Sequence, residues 1–328
     1  MLIADDQSMH RQQVRGHPRY RPAPARLPAR LALALVLAAL GLGGPSGPSA
    51  AADGLSFGYL QLAAEPAGRS LGGAHLATVA GPAALAWNPA GLGTDPQPAL
   101  LLSHATWTAG TAWQWGGACL AMGGGGLGLS CGLFRSGALD GYDSEGNPTG
   151  GFSPLQGFVT LAHGRPLTNG LRAGLEVELL LETDGTDQEY RSWAGGAGIQ
   201  LDAGRLHLAG TARHLGPALK AGGESYPLPA TLALAVTLDV ARRSRLHAGS
   251  AAVGGESPTL RVGAEWGATE ALAAYLGAQS TPGESVADLQ TSMGLALELG
   301  RTRVGYGYQP ARHLEASHQL SLTLLFER

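Results

Sequence analysis

The sequence predicts an all-β protein: a transmembrane antiparallel β-barrel of about 14 strands at 98–328, a short N-terminal plug segment at 53–97, and a signal peptide at 1–52. Three observations predict it. Apolar residues alternate with small or polar ones at period 2 over long stretches. Most alternating segments run 9–12 residues, the length that a tilted transmembrane strand needs. The chain holds 51 glycines in 328 residues and is only 14% charged, whereas about 7% Gly and about a quarter charged are usual. The glycines follow no G-X-Y period, which excludes collagen, and the apolar content excludes a disordered chain.

The N-terminal 52 residues read as an export signal. An Arg- and Pro-rich stretch at 11–30 precedes the 12-residue apolar run Leu31–Leu42. That run is too short to span a bilayer as a helix and fits a signal-peptide core. Ser49, Ala50, Ala51 and Ala52 follow, so cleavage after Ala51 or Ala52 leaves small residues at the flanking positions, and Met9 offers a second start. Downstream, no apolar run approaches 18 residues, which excludes an α-helical membrane protein. Without these 52 residues the chain has 16 basic and 23 acidic residues, a net charge of −7. That balance argues against nucleic acid as a partner.

From residue 98 the alternation is nearly continuous. In 170–182, Leu171, Ala173, Leu175, Val177, Leu179 and Leu181 share one face, and Arg172, Glu176, Glu178, Leu180 and Glu182 lie on the other. Fourteen such segments fall near 98–107, 111–122, 127–136, 155–165, 169–183, 190–201, 205–214, 229–240, 244–253, 259–267, 270–279, 288–299, 302–309 and 317–326. Turn residues separate them at Gly123–Gly126, Thr168–Gly170, Asp202–Gly204 and Thr281–Glu284. An even strand count is the rule for bacterial outer-membrane barrels.

The polar faces decide between a soluble sandwich and a membrane barrel. A sandwich would carry more charge outward, but here those positions are mostly Gly, Ala, Ser and Thr, which suit a filled lumen. Arg172, Arg205, Arg213, Arg261 and Arg303 are expected to meet Glu176, Glu178, Asp239, Glu265 and Glu298 across it. Trp107, Trp113, Trp115, Trp193, Trp266, Tyr306 and Tyr308 lie near strand ends or hairpins and are expected to supply interfacial aromatic girdles. Outer-membrane lipid is the partner this surface implies.

The segment ahead of the barrel is too apolar for a free tail and lacks strand alternation. Arg69 and Asn88 are polar anchors suited to hydrogen-bonding backbone at the barrel wall, and Pro89 favours a short helix at 89–92. Starting the first strand correctly and binding a ligand are equally open roles for Trp87–Leu92.

Residues 65–92 contain Arg69, then Gly72-Gly73-Ala74, then Trp87-Asn88-Pro89-Ala90-Gly91-Leu92. This resembles the opening of the PorV/PorQ-like outer-membrane proteins, which belong with the fatty-acid-transporter-like (FadL-type) barrels. His214–Lys220, Tyr226–Pro229 and His318–Phe326 are similar to later segments of the family, so the resemblance spans nearly the whole mature chain. Two positions depart from the family pattern: His214 stands where Asn is usual, and two residues follow the terminal aromatic Phe326. The resemblance implies a role in protein secretion of type IX kind, with secreted cargo proteins as partners. The alternative is a FadL-like channel that passes hydrophobic small molecules through the barrel and out of a lateral opening.

Other motifs lack the context their chemistry needs. Gly128-Leu-Ser130-Cys131-Gly132 matches a nucleophile elbow but lies within an alternating segment. Gly123–Gly128 matches a dinucleotide fingerprint without a βαβ unit, and reads as a hairpin turn. Asp140–Asn147 is acidic and Gly-rich without calcium-loop spacing, so a solvated loop is expected. The histidines form no metal-ligand pattern. No catalytic residue, metal or cofactor is therefore expected. Cys119 and Cys131 are placed on one face about the glycine turn, which leaves open either a cross-strand disulfide or two free thiols.

Overall fold

A computed structural model describes residues 56–327 apart from 95–96, 108–109, 138, 184–187, 222, 281–288 and 312–314. The expected signal peptide and the turn expected at 281–284 lie outside the described residues.

Fourteen antiparallel strands close into one barrel. They are β1 (Ala99–Thr106), β2 (Ala112–Met122), β3 (Gly125–Arg135), β6 (Leu155–Thr168), β7 (Leu171–Thr183), β8 (Glu189–Ala203) and β9 (Leu206–Leu215), followed by β12 (Thr231–Ala241), β13 (Ser244–Val253), β14 (Thr259–Gly267), β15 (Leu272–Ser280), β16 (Gln290–Leu299), β17 (Thr302–Gln309) and β18 (Ser317–Leu325). Each lies within three residues of its predicted segment. Strands follow one another around the wall, and β1 pairs with β18 from Ala99↔Leu325 to Thr106↔His318, which closes it. The long loops carry two hairpins that alternation did not reveal: β4 (Leu139–Tyr142) with β5 (Pro148–Phe152), and β10 (Leu219–Ala221) with β11 (Glu224–Tyr226). Their strands have 3 to 5 residues, too few for a periodic pattern.

The barrel has two unlike ends. Short connections such as 123–124, 204–205 and 300–301 gather at the end where β1 starts and β18 finishes, and longer ones such as 136–154 and 216–230 gather at the other. In outer-membrane barrels short turns face the periplasm and long loops the exterior.

The oily face is the exposed one. On β7, Leu175 and Leu179 are 68% and 62% exposed, while the intervening Glu178 is 1% exposed. Leu232, Val262, Leu276, Leu295 and Leu320 continue the outer apolar band on other strands. In water so much exposed apolar surface would be a liability; in a bilayer it meets acyl chains. Trp193 and Trp266 stand outward near opposite ends, and Tyr306 is also exposed.

Trp107, Trp113 and Trp115 do not join a girdle. Odd-numbered positions of β1 and β2 face the lumen, so Trp113 and Trp115 are buried against the plug, and Trp107 packs on Arg69. The two cysteines do not share a face either. The turn at Gly123-Gly124 has two residues, so Met122 faces Gly125, Cys119 faces Gly128 and Cys131 faces Gly116. That register sends Cys119 inward and Cys131 outward, and both are free thiols.

Residues 56–94 occupy the lumen as short helical pieces: 3₁₀ turns at Gly58–Gln61, Gly81–Ala83 and Pro89–Gly93, and helices α1 (Pro66–Ser70) and α2 (Ala84–Trp87). The wall makes room for them by omitting side chains. Gly126, Gly164, Gly174 and Gly198 are successive partners across β3, β6, β7 and β8. A Cβ on Gly164 or Gly174 would run into the Pro89 backbone, and one on Gly198 into the Asn88 side chain. On the opposite wall Gly277 and Gly294 receive α1 in the same way.

Candidate functional site

The two halves of the sequence motif meet inside the lumen. Glu65 caps α1, accepting hydrogen bonds from Ala67 N (2.7 Å) and Gly68 N (2.6 Å), and His75 Nδ1 lies 3.3 Å away. Burial alone would raise this carboxyl. The His75 contact and the two amides outweigh it and hold Glu65 below the ordinary carboxylate range. Gly72 and Gly73 turn the chain with φ of 63° and 79°, values that glycine adopts without strain. Ala74 and Leu76 are buried beyond the turn.

Trp87 lays its indole against Gly68 and lies 6.5 Å from the His75 ring, joining the second half of the motif to the first. Asn88 is fully buried. Its Oδ1 accepts from Ala90 N (3.1 Å), which caps the Pro89–Gly93 turn. Its Nδ2 donates to Leu76 O (3.2 Å) and to Ile199 O in the wall (3.1 Å). Gln200, also fully buried, donates to Leu76 O and Val79 O at 2.9 and 3.0 Å. The motif residues Arg69, Gly72, Gly73, Ala74, Trp87, Asn88, Pro89, Ala90, Gly91 and Leu92 thus form one packed body.

Charges fasten this body to the wall. Arg213 donates from Nε to Glu176 Oε1 (2.5 Å), from Nη2 to Leu85 O (3.1 Å) and from Nη1 to Ala86 O. Glu178 lies 3.5 Å from Arg213 and 2.7 Å from His214 Nδ1. His214 sits at φ 56° where β9 bulges against β8. Asn and His are among the non-glycine residues that most readily adopt this left-handed conformation, so His214 suits this position.

The other expected pairs are partly rearranged. Arg303 does meet Glu298, at 3.3 Å. Arg172 meets Asp202 at 2.7 Å, and Arg245, not anticipated from the sequence, takes Asp239 and Glu265 at 3.0 and 3.6 Å. Arg205 is exposed and donates to the Asp239 and Val240 carbonyls. Arg261 reaches the plug but has no ion-pair partner among the described residues.

The docked segment divides the lumen into two chambers that share no lining residue. The loop-side chamber, about 260 Å³, is lined by Leu60, Leu62, Arg69, Trp87, Trp107 and Arg261, with Gln279, Gln290 and Gln309 at its rim. The turn-side chamber, about 380 Å³, is lined by Glu65, His75, Arg245, Glu265, Glu298 and Arg303. Arg69 and Glu65 stand four residues apart on and beside one helix, yet open into different chambers. No group of three or more His, Cys, Asp or Glu among the described residues is arranged to hold a metal ion. Ser130 of the G-x-S-x-G match lies mid-strand in β3 and points into the lumen. Asp140–Asn147 lies on the β4–β5 hairpin, where Asp143 accepts from Glu145 N and Asn147 N, and Asn147 Nδ2 holds its carboxyl below the ordinary range.

No protein-family model and no curated protein sequence matches the chain. Solved structures do. The chain is similar to the toluene transporter TodX of Pseudomonas putida, with a TM-score of 0.59 and 13% identity over 80% of this chain and 99% of that one. A mutant described as the TodX monoaromatic hydrocarbon channel gives 0.58 and 13% over the same shares. A FadL homologue from Pseudomonas aeruginosa gives 0.56 and 10%, over 80% of this chain and 98% of that one. The barrel therefore has the fold of FadL-type outer-membrane channels.

Proposed function

We propose that the chain is an outer-membrane channel for uptake of hydrophobic small molecules, exported by its N-terminal signal peptide. The observation that carries this reading is the division of the lumen by residues 56–94 into two chambers, the outer of which sets the apolar side chains of Leu60, Leu62, Trp87 and Trp107 directly before the plug. A simple aqueous pore gains nothing from such a partition. A carrier path for a sparingly soluble molecule gains an apolar stopping point before the plug. That solved structures of similar fold are described as a toluene transporter and a hydrocarbon channel supports the same reading. The motif Arg69–Leu92 then serves as the plug that sets the barrier between chambers.

The finer kinship with PorV/PorQ-like proteins, and the cargo handling it implies, is a separate proposal resting on sequence resemblance. One experiment separates the two. Cells that lack the gene are complemented with the wild-type chain or with Asn88→Ala, and uptake of radiolabelled toluene and total secreted protein are both measured. The channel reading expects uptake to need the chain and to change with Asn88→Ala, while secretion is unaffected. Unchanged uptake in the deleted strain together with lost secretion would overturn it in favour of the secretion role.

A further inference from the structure

The lipid-facing surface is not uniform around the barrel. On β12 the outward residues from Leu232 to Val240 are all apolar, a run of about 27 Å along the strand. On β1 the outward apolar run is Leu100 and Leu102 alone, about 7 Å, and His104 and Thr106 follow it toward the loop rim. On β14 the two outward residues nearest that rim are Leu260 and Val262, so the change is local to one side.

Strand register gathers the outward polar residues of that side into one patch over β17, β18, β1, β2 and β3. In the row next to the rim, Tyr308 faces His318, His318 faces Thr106, Thr106 faces Ala112, and Ala112 faces Arg135. One row deeper, Leu320 faces His104 and His104 faces Gln114. His104, Gln114 and Arg135 are exposed, and their side chains have no hydrogen-bond or ion-pair partner among the described residues. His318 is held in place: its Nδ1 lies 2.8 Å from Tyr306 Oη and its ring 5.4 Å from that of Tyr308.

Tyrosine at this level is ordinary for a membrane interface. Imidazole, amide and guanidinium groups aimed at acyl chains without partners are not, because each loses its water and gains nothing. No outward residue on these five strands is a carboxylate. The patch therefore complements an anion, and a second copy laid against it would bring no counter-ion. The loop rim is the external one in such barrels, so the anion belongs to the outer leaflet. A phosphate suits both guanidinium and imidazole donors. Three strand spacings, about 14 Å, separate His318 from Arg135, which is too far for one free phosphate ion and within the width of a sugar headgroup.

We propose that the loop-side outer wall at β17–β18–β1–β2–β3 binds the phosphorylated sugar headgroup of an outer-leaflet glycolipid, with His318 and Arg135 at its two ends and His104 and Gln114 beneath it. The site lies outside the lumen and is independent of what passes through the channel.

The test uses the purified full barrel in non-ionic detergent, titrated with lipid A or with enzymatically dephosphorylated lipid A and read by native mass spectrometry. Wild-type protein is expected to bind lipid A at least about tenfold more tightly than the dephosphorylated form, the difference that a charge-assisted hydrogen bond supplies. Arg135→Gln and His104→Leu should each reduce that preference severalfold and leave dephosphorylated lipid A unchanged, with heat-modifiable gel mobility retained. Arg191→Gln, which alters an exposed outward arginine of β8 already paired with Glu189, should leave it intact. Equal affinity for the two lipids overturns the proposal. So does an equal loss in Arg191→Gln and Arg135→Gln, which would mean diffuse charge attraction, or displacement of lipid A by inorganic phosphate, which would mean a site for the free ion. A dimer that forms in lipid-free micelles and is lost in His104→Leu would overturn it in favour of a second copy. Uptake in the deleted strain tests the channel reading separately, so either can fail alone.

Discussion

Glu65 and Asn88 show how single polar side chains hold an otherwise apolar segment inside a barrel. Each is buried, and each satisfies backbone groups that would otherwise be orphaned in the lumen. The role of Asn88 was partly legible: an Asn before Pro is a recognisable cap, and its anchoring to the wall was expected. That Glu65 caps α1 while touching His75 was not legible, because the contact depends on how the chain turns at Gly72-Gly73. Arg69 was likewise legible as an anchor. Its partners Ser317 and Trp107 were not, since they lie on strands far along the chain. Because Glu65 is held below its ordinary 4.5, its contribution is full above that value and is lost as pH falls through the lowered one. Hydrogen exchange, corrected for the intrinsic pH effect, should therefore show residues 66–75 losing protection as pH falls below 4.5 in wild type. Glu65→Gln, which keeps one acceptor and loses the charge, should lose about 1–2 kcal/mol of protection at neutral pH and show no such acid step. A step retained in the Gln variant would assign it to another group.

Alternation made the strands legible as elements because one face must meet lipid and the other the lumen, and a one-residue slip would exchange them. The same logic fails where it depends on the turn. Placing Cys119 and Cys131 on one face required an odd-length turn, whereas Gly123-Gly124 forms a two-residue one. Trp113 and Trp115 were misplaced because aromatic residues near strand ends suit a girdle or a plug contact equally; the parity of β2 decides for the plug. The glycine row across β3, β6, β7 and β8 was legible only as an excess of glycine. Its meaning needs the register, which sets the four residues side by side, with Gly164, Gly174 and Gly198 against Asn88 and Pro89. Gly198→Val places a branched side chain where the Asn88 amide lies, with strand geometry that valine itself favours. The expected result is a barrel that keeps its heat-modifiable mobility while residues 84–94 lose exchange protection. Unchanged protection would mean that the plug does not depend on close backbone approach there.

At the scale of the whole molecule, closure and orientation are separate matters. Closure was legible, since an even number of long alternating segments leaves no unpaired edge in lipid. Orientation was not, because loop lengths become clear only when every strand is bounded. With the bounds in place, the short turns and both barrel-closing chain ends share one rim, and the β4–β5 and β10–β11 hairpins rise from the other. The general asymmetry of these barrels then sets the hairpin rim outside the cell. Single cysteines can read this in intact cells. Ser144 is exposed at the tip between β4 and β5, and Arg242 is exposed in the turn between β12 and β13. The native thiols give little background, as Cys119 is buried in the lumen and Cys131 faces lipid. A membrane-impermeant maleimide should label Ser144→Cys in intact cells, and Arg242→Cys only after the outer membrane is breached. The reverse pattern would invert the barrel and turn the chamber lined by Arg69 and Arg261 toward the periplasm.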